Sequence, residues 1–484
     1  MHDFFGRSLN AETSYKGGTR LNDSSRAKIE TLDKFFPRHN VVVAVSHTNY
    51  LRETTGGVEK LIKIEENFCK DNIGHYVQIF PLKSYGVDEG KIEWNQLVGV
   101  NVDNAFVGYF TIKQLSLYFE RLRKIGQIDV LAILFHHLLG FFLKALSILE
   151  ASLQPRQSYI YIHDFYTICP QYNLLKNKVE YCGSQPFGSE TCEDCSYNDA
   201  RKKMASEMKD FIYRFRGRFV FPAESTKKIW LSVYKGLEKN CLVVPHQKVL
   251  LKQSDSLDMS TGKIKIGYIG AQAFHKGYPQ WKEIVNKYKE NYEFYHLGSL
   301  QERLSGVTFI PVSVLKQGDE KMVETMRDQK IDIAFLWSIW PETYSFTFFE
   351  SLTAGCFILT NVNSGNIAAQ IKQYNCGKSF DELTGLSDYL SDVNQVRMDI
   401  KLYKDDMREY QLVNNHSLLE SLIEDSKLNI DYLSNSNNVS CEWSDIKLLE
   451  GKILHEIEHA DQIISLIAAI NELKNKLRSE LVQL

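Results

Sequence analysis

The chain has 484 residues, 44% of them hydrophobic and 24% charged, which is enough for two or three packed domains and excludes a disordered polymer. A formal net charge of -3 gives no overall pull toward nucleic acid or an anionic membrane, so no nucleic-acid partner is expected. The opening residues, MHDFFGRSLNAETSYKGG, lack the basic start, apolar run and small-residue site of a secretory signal; a cytoplasmic protein is expected, with nine cysteines as thiols or metal ligands.

Residues 1–38 are polar and weakly periodic and read as an N-terminal arm. From Asn40, strands alternate with helices. NVVVAVSHTNY (Asn40 to Tyr50) reads as a strand and GGVEKLIKIEENFCK (Gly56 to Lys70) as a helix behind a glycine pair. HYVQIFPL and NAFVGYFTI read as strands, and residues Ile112 to Ile125 as a helix. VLAILFHHLLGFFLKALSIL (Val130 to Leu149) has the length of a membrane span, but His136, His137 and Lys144 would be costly in hydrocarbon. It divides instead into a strand, Asp129 to Phe135, and a helix, Phe141 to Ala151. SYIYIHDF, RFVFPA and CLVVPHQ complete a set of β-branched runs that predicts a parallel sheet covered by helices over residues 39–250.

The polar stretch KQSDSLDMSTGK (Lys252 to Lys263) reads as a linker, after which the alternation restarts through IKIGYIGA, YEFYHLGS, VTFIPVSV, IDIAFLW and CFILTNV. A second domain is expected over residues 262–400, then a helical return segment over 401–433. The expected class is α/β, with two facing doubly wound Rossmann-like domains. Ligands of such sheets bind outside the carboxyl ends of the strands, so the facing pair forms a cleft with a site on each wall.

WPETYSFTFFESLTAGCFILT places Glu342 and Glu350 eight positions apart, beyond the strand IDIAFLW. On one continuous helix they would be rotated by about 80° from each other. With Glu342 in the loop at Pro341 and the helix starting near Ser345 or Phe346, both can reach a ligand lying across the helix N-terminus, a natural seat for phosphate. A carboxylate accepts two sugar hydroxyls well, so the pattern describes a nucleotide-sugar.

PETYSFTFFESLTAG resembles the signature of two glutamates separated by seven residues in retaining glycosyltransferases of family 4, which have the two-domain GT-B fold. GYIGAQAFHKG (Gly267 to Gly277) resembles the first strand and loop of that family's nucleotide-binding domain, GGVEK its N-terminal glycine pair, and IYIHDFYTICP (Ile160 to Pro170) its histidine-aspartate strand end. The resemblance covers roughly residues 40 to 400. It implies that Glu350 binds the ribose hydroxyls, that Glu342 meets the donor sugar, and that Lys276, in the loop after Gly270, neutralises the diphosphate. Backbone amides from Thr343, Tyr344 and Ser345 to Phe346 would contact the sugar or phosphate. His163 would face the sugar from the other wall, and Gly56 and Gly57 would allow close backbone approach. Three residues depart from the pattern: Ala271 where arginine is common, Ser345 where glycine is, and Phe357 where proline is. The family reacts with retention, the leaving phosphate helping to deprotonate the acceptor hydroxyl. The sequence contains no Asp-x-Asp metal motif, and a helix dipole with a lysine can replace Mg²⁺, so no cofactor is expected for catalysis.

Two features lie outside the resemblance. Cys169, Cys182, Cys192 and Cys195 include one C-x-x-C pair in a polar loop and read as a structural zinc site, with free thiols as the alternative. Beyond SNSNNVS (Ser434 to Ser440), residues 441–484 carry apolar positions Leu449, Ile453, Ala460, Ile463, Ile467, Ile470, Leu477, Leu481 and Leu484, close to a 3,4 repeat. This predicts a coiled-coil-like helix that joins copies of the chain or docks a partner protein. HEIEH within it matches a zinc-protease motif in form, but Glu456 falls on the seam where a partner is expected.

The expected function is retaining transfer of a sugar from a nucleotide-sugar to a glycan or lipid-linked acceptor, in surface polysaccharide assembly at the cytoplasmic face of a membrane. The alternative is a catalytically weak glycosyltransferase-like scaffold that binds partners through the C-terminal helix.

Overall fold

The computed structural model describes residues 29–36, 39–52, 56–82, 95–252, 262–406 and 409–424. Its contacts divide the chain into Met1–Leu422, which holds everything discussed below, and Ile423–Leu484; the expected 441–484 helix lies outside the described residues.

The first sheet uses β1 (Asn40–Val45), β2 (His75–Pro81), β3 (Leu97–Val102), β4 (Ala105–Thr111), β5 (Asp129–Phe135) and β6 (Gln157–Tyr161). A small hairpin, β7 (Leu175–Lys176) and β8 (Glu180–Tyr181), precedes its last members, β9 (Arg218–Phe221) and β10 (Cys241–Val243). The order is β10-β9-β6-β5-β1-β2-β3-β4. Six strands from β10 to β2 run parallel, whereas β3 and β4 are antiparallel to their neighbours, which corrects the expectation of a wholly parallel sheet. Asp103 and Asn104 account for the second of these pairings: at φ 49° and 70° they make a two-residue turn that folds β3 onto β4. β3 itself was not among the predicted strands.

Helices α1 (Gly57–Asn72), α2 (Ile112–Lys124), α3 (Leu143–Leu153), α4 (Asn198–Arg214) and α5 (Glu224–Val233) cover this sheet. The Val130 to Leu149 run is split between β5 and α3, and among the described residues no helix is long and apolar enough to cross a membrane. Residues Ile29–Phe35 form a 3-10 helix that buries Leu32 in the first core.

β11 (Gln247–Lys252) leads to the second sheet: β12 (Lys265–Ile269), β13 (Glu293–Gly298), β14 (Val307–Pro311), β15 (Ile333–Phe335), β16 (Phe357–Asn361) and β17 (Gly377–Phe380). All are parallel, in the order β14-β13-β12-β15-β16-β17. Their helices are α6 (Tyr278–Tyr288), α7 (Val314–Gln317), α8 (Lys321–Asp328), α9 (Phe346–Ala354), α10 (Asn366–Tyr374), α11 (Leu383–Ser391) and α12 (Val393–Asp405). Within the segment expected to be helical, β18 (Glu409–Asn414) is a strand, paired antiparallel with β11. Helical residues follow from 417, and Leu418, Leu419 and Leu422 pack with Val42, Ala44, Leu61 and Ile62 of the first sheet and α1. The result is a GT-B architecture: two α/β lobes, bridged by a strand pair, with the last of the described helical residues returned to the first lobe.

Candidate active site

Apart from Glu350, inside α9, the residues assigned a role in donor binding lie beyond the carboxyl end of a parallel strand or at a helix start, where backbone amides and strand-end loops leave room for a ligand. In the second lobe, Gly270 ends β12 with φ 110°, and a 3-10 turn, Phe274–Lys276, carries the lysine. Gly277 follows at φ 77°, so close to the neighbouring chain that an added Cβ would stand 2.0 Å from the Trp337 carbonyl oxygen. Only glycine fits that approach, and it brings Lys276 Nζ to 2.8 Å from Glu342 Oε1. Glu342 is 3% exposed; the same oxygen accepts from Ser338 Oγ at 3.1 Å and Trp340 Nε1 at 3.2 Å.

Ser345 caps α9, its Oγ accepting from the Phe348 amide at 3.2 Å. The side chain that departs from the family pattern therefore holds the helix start in place of a flexible glycine. Thr347 reaches Gly270, whose added Cβ would meet its Cγ2 at 3.5 Å. Glu350 sits further into α9, 4% exposed, and lines a cleft of about 620 Å³ with Asp319, Arg327, Glu409 and His416. Burial pushes its carboxyl up to about 7, with Lys60 pulling the other way. The structure thus joins Lys276 to Glu342, but places Glu350 in a separate part of the cleft.

The first lobe answers with histidines: His47 beyond β1, His136 and His137 beyond β5, His163 beyond β6 and His246 beyond β10. His137 Nε2 lies 3.0 Å from Asp164 Oδ2, and the His47 and His137 rings are 4.4 Å apart. Burial opposes ionisation of Asp164, but His137 and the Tyr166 amide hold its carboxyl below the usual range. Burial drives His47 and His246 down to about 3 and His163 well below its ordinary value, with the other histidines adding to the effect. Near neutral pH His47, His163 and His246 are therefore uncharged.

The walls touch. Thr343 Oγ1 donates to the His163 carbonyl at 2.5 Å, and Thr226 Oγ1 donates to the Thr343 carbonyl at 3.1 Å. Tyr344 packs on His246 at 4.6 Å and donates to Gln247 Oε1 at 3.3 Å. Gly57, the first residue of α1, faces the first residue of α9: an added Cβ would lie 3.2 Å from the Phe346 ring. Next to it Gly56 receives the Glu59 carboxylate, which folds back over the start of α1. Lys60 stands 4.8 Å over the Phe346 ring and pairs with Asp319 at 3.1 Å. His47, His246, Lys60 and Glu65 carried no assigned role in the sequence. A signal existed for the histidines, since VVVAVSH, IYIHD and LVVPH each place one, and LAILFHH two, just past a strand.

The four loop cysteines converge on one cavity of about 20 Å³, where Arg201 Nη1 lies 2.7 Å from Cys192 Sγ. All four are free thiols, and among the described residues no group of three or more His, Cys, Asp or Glu is arranged to hold a metal. With a guanidinium among them, the side chains as they stand fit free thiols better than a ligand set.

No family model and no curated protein matches this chain. Among solved structures it is similar to sucrose-phosphate synthase from Thermosynechococcus elongatus (11% identity over 82% of this chain and 100% of that one, TM-score 0.46). Anabaena HepE in complex with UDP-glucose (10%, 82% and 99%, TM-score 0.42) and a glycosyltransferase from Rickettsia africae (12%, 83% and 100%, TM-score 0.44) are similar to the same extent. At these identities no residue role passes from them to this chain.

Proposed function

We propose that the protein is a retaining, metal-independent glycosyltransferase of the family 4 type, transferring a sugar from a nucleotide-sugar to a glycan or lipid-linked acceptor. The observation that carries the reading is the Lys276–Glu342 pair, 2.8 Å apart beside the start of α9 and facing the histidine wall. Lys276 and the helix amides take the diphosphate; its side chain is 40% exposed, so an incoming phosphate can share it. Glu342 accepts hydroxyls of the donor sugar, and Glu350 those of the ribose in the cleft beyond. In the step itself, the acceptor oxygen bonds to the anomeric carbon while the bond from that carbon to the phosphate oxygen breaks. The acceptor proton passes to the departing phosphate on the same face. Positioning and charge stabilisation on the leaving group supply the rate.

We assign this chemistry to the cytoplasmic face of a membrane and to surface polysaccharide assembly, on the sequence resemblance alone. UDP-glucose is the first probe, because one structural neighbour is described with it. A UDP-dependent rise in melting temperature that disappears in Glu350→Ala, together with glucosyl transfer or hydrolysis, supports the reading. No response to UDP, GDP, ADP or CMP sugars overturns it in favour of a scaffold. For the loop, structural zinc remains the alternative to the free thiols that the Arg201 contact favours: stoichiometric zinc by elemental analysis supports it, and four titratable thiols without zinc refute it.

A further inference from the structure

Behind His163 the first lobe buries an array that the transfer step above does not use. Glu65, in the third turn of α1 and 5% exposed, accepts from Tyr161 OH on Oε1 at 2.9 Å and from Tyr76 OH on Oε2 at 3.1 Å. His136, 1% exposed, brings Nε2 to 2.9 Å from Glu65 Oε2. That approach is off the hydrogen-bond axis, and Nε2 has no other partner, so Glu65 is the one group it can serve. On the far side His136 Nδ1 stands 3.1 Å from His163 Nε2, with the two rings within 4° of coplanar orientation and Tyr161 stacked beside both.

Proton accounting fixes the direction of this array. A carboxylate only accepts, and a bare imidazole nitrogen 2.9 Å from it would place lone pair against negative charge. His136 therefore carries its proton on Nε2. With one proton on the His136 ring, Nδ1 is then an acceptor, and the proton between the two histidines belongs to His163 Nε2; an imidazolium at His136 would reverse that bond and show as an Nδ1–H tautomer of His163. His163 is left with Nδ1 as a lone pair, and among the described residues that atom has no hydrogen-bond partner.

We infer that Glu65 and His136 are positioning residues that lock His163 in its Nε2–H tautomer, so that Nδ1 accepts a hydroxyl of a sugar held in the cleft. The use made of that lone pair rests on the proposed transfer reaction; the tautomer does not. The groups around His163 allow it: His47, His137 and His246 from the ends of β1, β5 and β10, with Asp164 engaged by His137 and Thr343 bonded to the His163 carbonyl. Burial keeps His47 and His246 neutral near neutral pH, and burial together with the surrounding histidines disfavours a second proton on His163. A histidine locked this way selects for a hydroxyl in one place, and would reject a sugar whose group there cannot donate.

The decisive measurement is imidazole nitrogen NMR on the full chain with labelled histidine, assigned by loss of signals in His163→Gln. At neutral pH His163 should show a protonated Nε2 and a bare Nδ1. Glu65→Gln, which can both donate and accept, should turn that single tautomer into a mixture and lower kcat for UDP-glucose by about tenfold, with the UDP-induced melting shift unchanged. Glu65→Asp should restore part of both signals. An Nδ1–H tautomer or an imidazolium in the wild type overturns the inference, whatever the variants do, and so does a His163 spectrum unmoved by a folded Glu65→Gln. If the tautomer is as expected but no nucleotide-sugar turns over, the positioning role stands and the transferase reading falls.

Discussion

The two walls of the cleft solve opposite electrostatic problems. The second lobe keeps charge in the site: Lys276 and Glu342 at 2.8 Å, next to a capped helix start. The first lobe removes charge, enclosing His47, His163 and His246 so tightly that burial keeps them neutral. One wall is suited to a phosphate whose charge grows as its bond breaks, the other to hydroxyls whose orientation has to be read.

Removing the charge should do the most damage. Lys276→Ala is expected to lower turnover by roughly 100- to 1,000-fold, the cost typical of losing one stabilising group at a developing oxyanion. Steady-state kinetics with UDP-glucose check this, and a smaller loss than for His163→Ala would reverse the assignment of the walls. Gly277→Ala tests the backbone approach that delivers the lysine. With φ 77° and a Cβ 2.0 Å from the Trp337 oxygen, it should cost about 2–4 kcal/mol in denaturant unfolding.

Glu350 gives a pH test of the same contrast. Its carboxyl is raised from 4.5 to about 7, so the folded state holds the proton more tightly than the unfolded state. The stability this contributes is full below pH 4.5 and is lost as pH rises to about 7. The difference in stability between wild type and Glu350→Gln should therefore move against the wild type across that window, by up to about 3 kcal/mol, and stay flat above it. Ribose binding by the ionised carboxylate should strengthen over the same range, read as a tighter UDP Kd. Thr343→Val is the smallest probe, cutting the bond between the walls at about 1 kcal/mol of closure, seen as a modest rise in KM.

The parallel strands and the covering helices were legible in the chain because each is announced by a local run of β-branched or amphipathic residues. IDIAFLW and CFILTNV became β15 and β16, and the loop between them brought Glu342 within reach of Lys276. What stayed illegible depends on partners distant in sequence. β3 needed the Asp103–Asn104 turn to be recognised, β18 is a strand only because β11 lies beside it, and Glu65 gains meaning from Tyr76, His136 and Tyr161. The direction of a glutamate within an ordinary amphipathic helix is not written in its neighbours.

The first lobe is closed by residues that follow the whole second lobe in the chain. Leu418, Leu419 and Leu422 complete the cluster around Val42 and Ala44, although the whole second lobe lies between them in the chain. At a synthesis rate of about 5–20 residues per second, the first lobe waits on the order of 10 to 30 s on the ribosome before that cluster can be covered. A chain cut after the linker should not yield a clean half-protein but a lobe with part of one apolar face uncovered beside α1, a client for chaperones and a seed for aggregation.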